Sequence, residues 1–250
     1  MHRFFVSPQA IDNGVVTLSG QMAHQITNVL RLTSGSHIMV LDNSGWQMEV
    51  ELTDASHFRV VGQVVRRSLA RGEPKIKVSL YQAMLKGNRL EFALQKGTEI
   101  GIVEFVPMIT ARCVIANLDD VNRKLERWER IIQEAAEQSR RGRLPTIEPA
   151  VLIMQACENA RQNGGLVLLP WEEERETSLK DVLTSGTLPF SITLLVGPEG
   201  GFTMDEVRVA KSYGARTVSL GTRVLRAETA GLVAASAIFY ESGDLEPLPD

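Results

Sequence analysis

The chain has few of the residues whose mere presence announces a chemistry. It holds two cysteines, Cys113 and Cys157, in no CxxC spacing and with no neighbouring histidine, so a metal knuckle is excluded and both read as buried thiols. The four histidines, His2, His24, His37 and His57, stand apart from one another in the first quarter, which removes a sequence-local zinc set or nucleophile triad. Aromatic residues make up 6%, too few for an extended base-stacking platform. A membrane span needs about 18–20 consecutive apolar residues, and runs such as Leu166-Val167-Leu168-Leu169 break after a few. Met1 to Pro8 lacks the apolar stretch and small-residue cleavage site of a secretory leader. A soluble, cytoplasmic protein with no membrane partner and no metal is expected.

What is present is ordinary globular material. At 250 residues, 44% hydrophobic and 23% charged, the chain suits one large domain or two smaller ones, either able to bury a core. A net charge of −3 argues against a sequence-indifferent nucleic-acid coat protein. The charge is unevenly spread: residues 1–72 carry six basic and five acidic side chains, 73–150 thirteen and eleven, and 151–250 eight and fourteen. An anionic partner is therefore expected on the first 150 residues.

The first seventy residues read as all-β, with alternating apolar positions over 37–41, 46–52 and 58–65. Asp42-Asn43-Ser44-Gly45 forms a hairpin turn between two of these runs. A polar break at Arg66-Arg67 and from Ala70 to Pro74 marks a domain boundary, giving domains 1–72 and 73–250. Beyond it, a strand over 76–81, a helix over 88–100 and a strand over 103–109 give β-α-β order, hence an α/β fold with a mainly parallel sheet. Val121, Leu125, Trp128, Ile131, Ile132 and Ala135 recur at helical spacing and predict one long amphipathic helix, its solvated face carrying Arg123, Lys124, Arg127 and Arg130. Strands near 165–169, 192–196 and 217–220 alternate with helices near 203–213 and 229–240. The acidic run Glu172 to Glu176 reads as a solvated loop or helix start.

Two segments join a strand end to a helix start through residues that packing alone does not require. The first, Leu194 to Thr203, places glycines at 197, 200 and 201, so the backbone turns sharply and comes close to a ligand, and Thr203 caps the next helix. It lies at the carboxyl end of a strand, where ligands collect in open α/β sheets. No Gly-Lys-Ser/Thr follows and the spacing is not GxGxxG. The second, Ser219 to Ala230, carries Arg223, Arg226 and Glu228 into a helix of small residues. Alone, each has a plain reading: a tight turn, or an ion pair with structural partners.

Together, Gly197-Pro198-Glu199-Gly200-Gly201-Phe202 and Leu220-Gly221, Val224-Leu225-Arg226, Glu228-Thr229-Ala230 resemble the paired signature of the SPOUT superfamily of S-adenosylmethionine-dependent RNA methyltransferases. Nearly the whole chain resembles the RsmE-type family of 16S rRNA (uracil-N3) methyltransferases. Arg3-Phe4-Phe5, His24, Val29-Leu30-Arg31, Lys86-Gly87, Arg89, Gln95-Lys96, Thr98-Glu99, Gly101, Arg112, Glu137-Gln138-Ser139, Arg141 and Pro145 follow in the family's order. The sequence departs at Arg140, where the family usually has Gly, and at Gly97, where Ala is common. The resemblance implies a PUA-like RNA-binding β-barrel over 1–72, a SPOUT methyltransferase domain over 73–250 with a C-terminal trefoil knot, and a homodimer. It implies methylation of N3 of a uridine, conventionally position 1498, in the 16S rRNA of the small ribosomal subunit. S-adenosylmethionine is the implied cofactor, bound by Leu169, by Leu195, Gly197, Pro198, Glu199, Gly200 and Gly201, and by Leu220, Gly221, Val224, Leu225, Arg226, Thr229 and Ala230.

Methyl transfer from a sulfonium is an in-line displacement, for which the protein must chiefly align donor and acceptor. Uracil N3 must also lose its proton. Glu199 or Glu228 are the candidates to accept it, and Arg226 or Arg112 to stabilise charge on the flanking carbonyl oxygens; pinning the loop is an equal alternative for Glu199. Arg3, Arg31, Lys86, Arg89, Arg140, Arg141 and Arg143 are the expected phosphate contacts. Two other readings stay open: a SPOUT methyltransferase acting on another rRNA or tRNA nucleotide, and a non-catalytic ribosome assembly factor.

Overall fold

The computed structural model describes residues 1–114 and 117–246. They form two compact units, the first made of 1–73 with 136–144, the second of 74–135 and 145 onward.

The first unit is a mixed sheet of β1 (Arg3–Phe5), β2 (Ile11–Asp12), β3 (Val15–Ser19), β4 (His37–Leu41), β5 (Trp46–Ala55) and β6 (Arg59–Leu69), ordered β1-β4-β5-β6-β3-β2. Alternation sets its core: Ile38, Val40, Val50, Leu52 and Val60 are buried from three successive strands. The expected hairpin turn is present, with Asn43 at φ +63° and Gly45 at φ +92° and Asp42 Oδ1 accepting from Ser44 N at 3.1 Å. Two expectations fail. Residues 20–29 are helical, as α1 (Gly20–His24) followed by a π-turn, because Ala23 and Ile26, three apart, both reach the core. And β6 runs through Arg66-Arg67 instead of breaking there, since the ladder is carried by backbone and both side chains point to solvent, Arg66 toward Glu49 at 3.5 Å and Arg67 over the Trp46 ring.

The second unit contains β7 (Lys77–Ala83), α2 (Arg89–Ile100), β8 (Glu104–Ile109), α3 (Leu118–Asn122), α4 (Leu125–Gln138), β9 (Thr146–Ile147), β10 (Val151–Leu152), α5 (Ile153–Gln162), β11 (Leu166–Pro170), α6 (Leu179–Thr184), β12 (Ser191–Val196), α7 (Met204–Ser212), β13 (Arg216–Val218) and α8 (Ala227–Glu241); the end of α4, from Ala136, counts with the first unit. The strands run β10-β8-β7-β12-β11-β13 with β9 beside β8, and every pair is parallel. Such a sheet is buried on both faces. Leu80, Leu168, Ile192 and Leu194 pack with Leu94, Ala234 and Phe239; Tyr81, Leu169 and Leu195 pack with Ala156, Ala160, Val207 and Ala210 of α5 and α7. Gly231 lets α8 lie close on the sheet, since a Cβ there would come within 2.9 Å of Leu80. The one long helix expected from Val121 is two, because Lys124 N bonds back to Val121 O and Asn122 Oδ1 accepts from Ala150 N at 2.8 Å. Cys157 is buried as expected, while Cys113 is only half-buried.

Both departures from the family pattern have a local structural consequence. α4 ends in a Schellman arrangement, with Arg141 N donating to Ala136 O at 2.9 Å and Arg140, the residue after the cap, at φ +63°. Glycine takes that conformation freely, whereas another L-residue is strained there by about 1–2 kcal/mol. Arg140→Gly should therefore raise stability by about 0.5–1 kcal/mol after the extra unfolded-chain entropy is deducted, read as a higher midpoint of urea unfolding; an unchanged or lower midpoint contradicts the strain. At Gly97 a Cβ would come within 2.7 Å of the Phe105 ring and 2.9 Å of Ile102. Gly97→Ala gains about 1 kcal/mol of helix propensity but overpacks a buried ring at a cost of about 1–3 kcal/mol. The expected outcome is net destabilisation that shrinks or reverses in a Phe105→Leu background, measured as a double-mutant cycle.

Candidate active site

The parallel strands β11, β12 and β13 deliver their carboxyl ends to one edge. There a cleft of about 440 Å³ opens, lined by residues just beyond β11 and β12 and by the start of α8. A second lobe of about 170 Å³ follows the chain beyond β13 and shares Pro170, Trp171, Glu172, Val224, Leu225 and Ala230 with the first.

The glycine-rich loop leaves β12 at Val196 and is tied down at every turn. Gln82 of β7 donates from Nε2 to Gly197 O at 3.3 Å. Gly201 N closes a turn onto Pro198 O at 2.9 Å, with Gly201 at φ +68°. Arg112 Nη1 donates to Gly200 O. Thr203 and Glu206 then form a reciprocal capping box that starts α7, and buried Glu206 also accepts from Ala111 N at 2.7 Å. Glu199 accepts from Lys86 N at 3.0 Å and from Arg89 Nη1 at 2.9 Å. Partial burial pushes the Glu199 carboxyl up, but the backbone N–H groups of Lys86 and of Glu199 itself, with the charges of Arg89 and Lys86, hold it below the usual range.

The opposite wall comes from the two other strand ends. Beyond β13, Ser219 bridges to Ser178 and Gly221 turns at φ +102°; Arg226 then precedes α8. Beyond β11, the acidic run is built structure and not only a solvated loop. Glu174 accepts from Thr217 Oγ1 and from the backbone N–H of Glu176 and Thr177 at 2.9 and 3.2 Å, so its carboxyl drops to about 2. The strap's contribution is full above about 4.5, the ordinary value, and is lost only as the pH falls through about 2.

Charge in the cleft centres on Arg89, at the start of α2. Its Nη1 meets Glu199 and its Nε lies 3.8 Å from Glu228 Oε1. Glu228 is buried, stands 4.0 Å from Arg226 Nη1, and leaves Oε2 without a hydrogen-bond partner. Arg226 itself is 77% exposed. Among the described residues no group of three or more His, Cys, Asp or Glu is placed to hold a metal ion.

The structure brings together most of the residues singled out from sequence. Gly197, Pro198, Glu199, Gly201, Val224, Leu225, Arg226 and Ala230 line the main cleft, and Leu220 and Gly221 the second lobe. Leu169 and Leu195 do not, because strand alternation turns them, fully buried, toward α5 and α7. Gly200 and Thr229 lie outside both lobes. Arg112 clips the loop from behind and Glu228 sits behind the wall, so neither faces the cavity. Sequence reasoning missed Arg89 as a cleft residue, and missed Pro170, Trp171 and Glu172. The signal was available: Pro170 ends β11, Trp171 and Glu172 follow it, and Arg89 starts the helix after β7, all at the carboxyl edge of one parallel sheet.

The basic residues divide more sharply. Arg141 is 3% exposed and bidentate to Glu73, Nε to Oε1 and Nη2 to Oε2, both at 2.9 Å, so it is a structural clamp and not a free phosphate contact. Arg3 is half-buried, donating to Gln47 at 2.9 Å. Arg89 is engaged in the cleft. Arg31, Lys86, Arg140 and Arg143 are exposed, Arg143 with Nη2 on Ser44 O at 3.0 Å.

The sequence profile of a family described as an RNA methyltransferase domain matches residues 72–239. The ribosomal RNA small subunit methyltransferase E of Synechocystis is 36% identical, over 95% of this chain and 77% of its own length. The Bacillus subtilis protein of the same name is 33% identical over 97% of both chains. Among solved structures, the Neisseria gonorrhoeae ribosomal RNA small subunit methyltransferase E bound to S-adenosyl methionine superposes with a TM-score of 0.85 at 29% identity, covering 96% of this chain and 97% of its own. A match of this length and identity means that the chain belongs to the RNA methyltransferase family of the ribosomal RNA small subunit methyltransferase E proteins.

Proposed function

We propose that the protein transfers a methyl group from S-adenosylmethionine to N3 of a uridine, conventionally position 1498, in the 16S rRNA of the small ribosomal subunit. The observation that carries this reading is the cleft at the shared carboxyl edge, walled by both signature loops. Its residues fit the cofactor. Backbone lies bare against the cavity at Gly197 and Gly201, where a Cβ would crowd Phe202 at 3.2 Å and Glu172 at 2.7 Å. Val196, Phe202, Val224, Leu225 and Ala230 add apolar surface suited to an adenosine. When bound, the cofactor supplies an electrophilic methyl group on a sulfonium.

The chain's own residues supply alignment and charge. Arg89 and Arg226 both line the cleft, and a cation beside an acidic N–H favours loss of its proton by stabilising the negative charge left on the carbonyl oxygens. Glu228 lies between the two guanidinium groups, 3.8 Å from Arg89 and 4.0 Å from Arg226, and balances their charge. Glu199, pinned by Lys86 N and Arg89 with its carboxyl lowered, fixes the loop and is a poor proton acceptor. The proton leaves through the open cleft to solvent.

The same reading assigns the first unit a PUA-like RNA-binding role, with exposed Arg31, Arg140 and Arg143, and Arg3 at its edge, meeting phosphates, and Lys86 doing so beside the cleft. The order β12-β11-β13, in which later strands flank an earlier one, supports a C-terminal trefoil knot. Exposed Phe92, Val233 and Tyr240 on α2 and α8 support pairing with a second copy, and a cytoplasmic site follows from the substrate.

Labelled methyl from S-adenosylmethionine should appear as 3-methyluridine in small subunits lacking the modification. Label in another nucleoside, or cofactor binding without transfer, rejects the stated target. Arg226→Ala should lower the single-turnover rate by about 10²-fold, the loss typical of one charge-stabilising donor. Because the side chain is largely exposed, the free energy of unfolding should change by no more than about 0.5 kcal/mol. A variant with full turnover removes Arg226 from the chemistry.

A further inference from the structure

The main cleft is lined by two carboxylates, Glu199 and Glu172, and they are in opposite electrostatic states. Glu199 is neutralised by Arg89 and a backbone N–H. Glu172 has no ion pair within 4.0 Å among the described residues, although Arg175 and Arg223 line the second lobe with it. It is also held in a defined place. Its carboxylate stands over Gly201, 2.7 and 3.1 Å from where a Cβ would be. Its neighbours are strapped down, Trp171 N to Val218 O at 3.0 Å and Glu174 to Thr217, Glu176 and Thr177. An uncompensated carboxylate on the wall shared by both lobes favours a cation in the cleft.

We propose that Glu172 sets the cleft's preference for the cationic methyl donor over the neutral-sulfur product. This rests on the reading of the cleft as the S-adenosylmethionine site. In the transfer the S–C bond breaks, its electron pair stays on sulfur, and a new N–C bond forms, so the sulfonium charge disappears. Donor and product carry the same adenosine and the same amino-acid ammonium and carboxylate. The charge at sulfur is what separates them, and Glu172 is the carboxylate on the cleft wall without an ion pair among the described residues, so it attracts the sulfonium and not the neutral sulfur. The consequence is easier release of S-adenosylhomocysteine after each turnover.

The test is calorimetric titration of the whole chain and of Glu172→Gln with S-adenosylmethionine and with S-adenosylhomocysteine, without RNA. The unaltered chain should bind the donor more tightly than the product. Glu172→Gln, an exposed isosteric change, should weaken the donor about three- to tenfold, leave the product within about twofold and keep the unfolding midpoint, while Glu172→Asp recovers part of the preference. Equal loss for both ligands, or no loss for either, overturns the proposal, the former by placing Glu172 on a group common to both. No binding of either ligand by the unaltered chain overturns the cofactor assignment itself, a failure distinct from that of Glu172.

Discussion

Parallel pairing of β12 is the constraint on which the rest of the second unit depends. The strand is bonded to β7 on one side and β11 on the other, both running its way, so their carboxyl ends emerge at one edge. That fact alone puts the residues after β7, β11 and β12 within reach of one another, though they lie far apart in sequence. Gln82, Lys86 and Arg89 come from the first of these ends, Trp171 and Glu172 from the second, and the glycine-rich loop from the third. The loop has little intrinsic order, and its shape comes from the hydrogen bonds its neighbours aim at it.

The fold was legible wherever the apolar period was sustained. The alternation of 37–41, 46–52 and 58–65 and the change to β-α-β order beyond residue 73 both follow from period alone. Short elements escaped: α1 and the π-turn show only Ala23 and Ile26 as a helical signal, and α5 presents small residues, Ala156, Cys157 and Ala160, that carry little hydropathy contrast. The signature loops were legible as a site only as a pair, through the family resemblance, because alone each reads equally as a tight turn or a structural ion pair. The partners of charged residues were not. Whether an arginine faces solvent, a cleft or a buried carboxylate depends on contacts such as Arg141 with Glu73, 68 positions apart, which no local pattern encodes.

The cleft economises on charge. One guanidinium, Arg89, meets two glutamates, Glu199 of the glycine-rich loop and Glu228 in the first turn of α8, so the start of α2 stands between both signature segments. Glu174 does comparable work on the third wall with hydroxyl and backbone donors and, among the described residues, no cation within salt-bridge range. A charged ligand entering this edge therefore meets walls whose geometry is already set, and needs little rearrangement beyond the exposed Arg226.

The clamp between Glu73 and Arg141 has a consequence for how the protein is made. The first unit takes in Ala136 and Leu144, which pack with Phe5, Leu41 and Ala70, and Glu137, which accepts from Phe5 N at 3.1 Å. A ribosome delivers the sheet of this unit early, but the residues that close its core arrive some sixty positions after Glu73. During translation the sheet must wait, incomplete, while β7, α2 and β8 emerge. The N-terminal unit is thus finished out of turn: its last stitch is sewn only after the second unit has begun, so the two units mature as one interleaved product rather than as beads added in sequence.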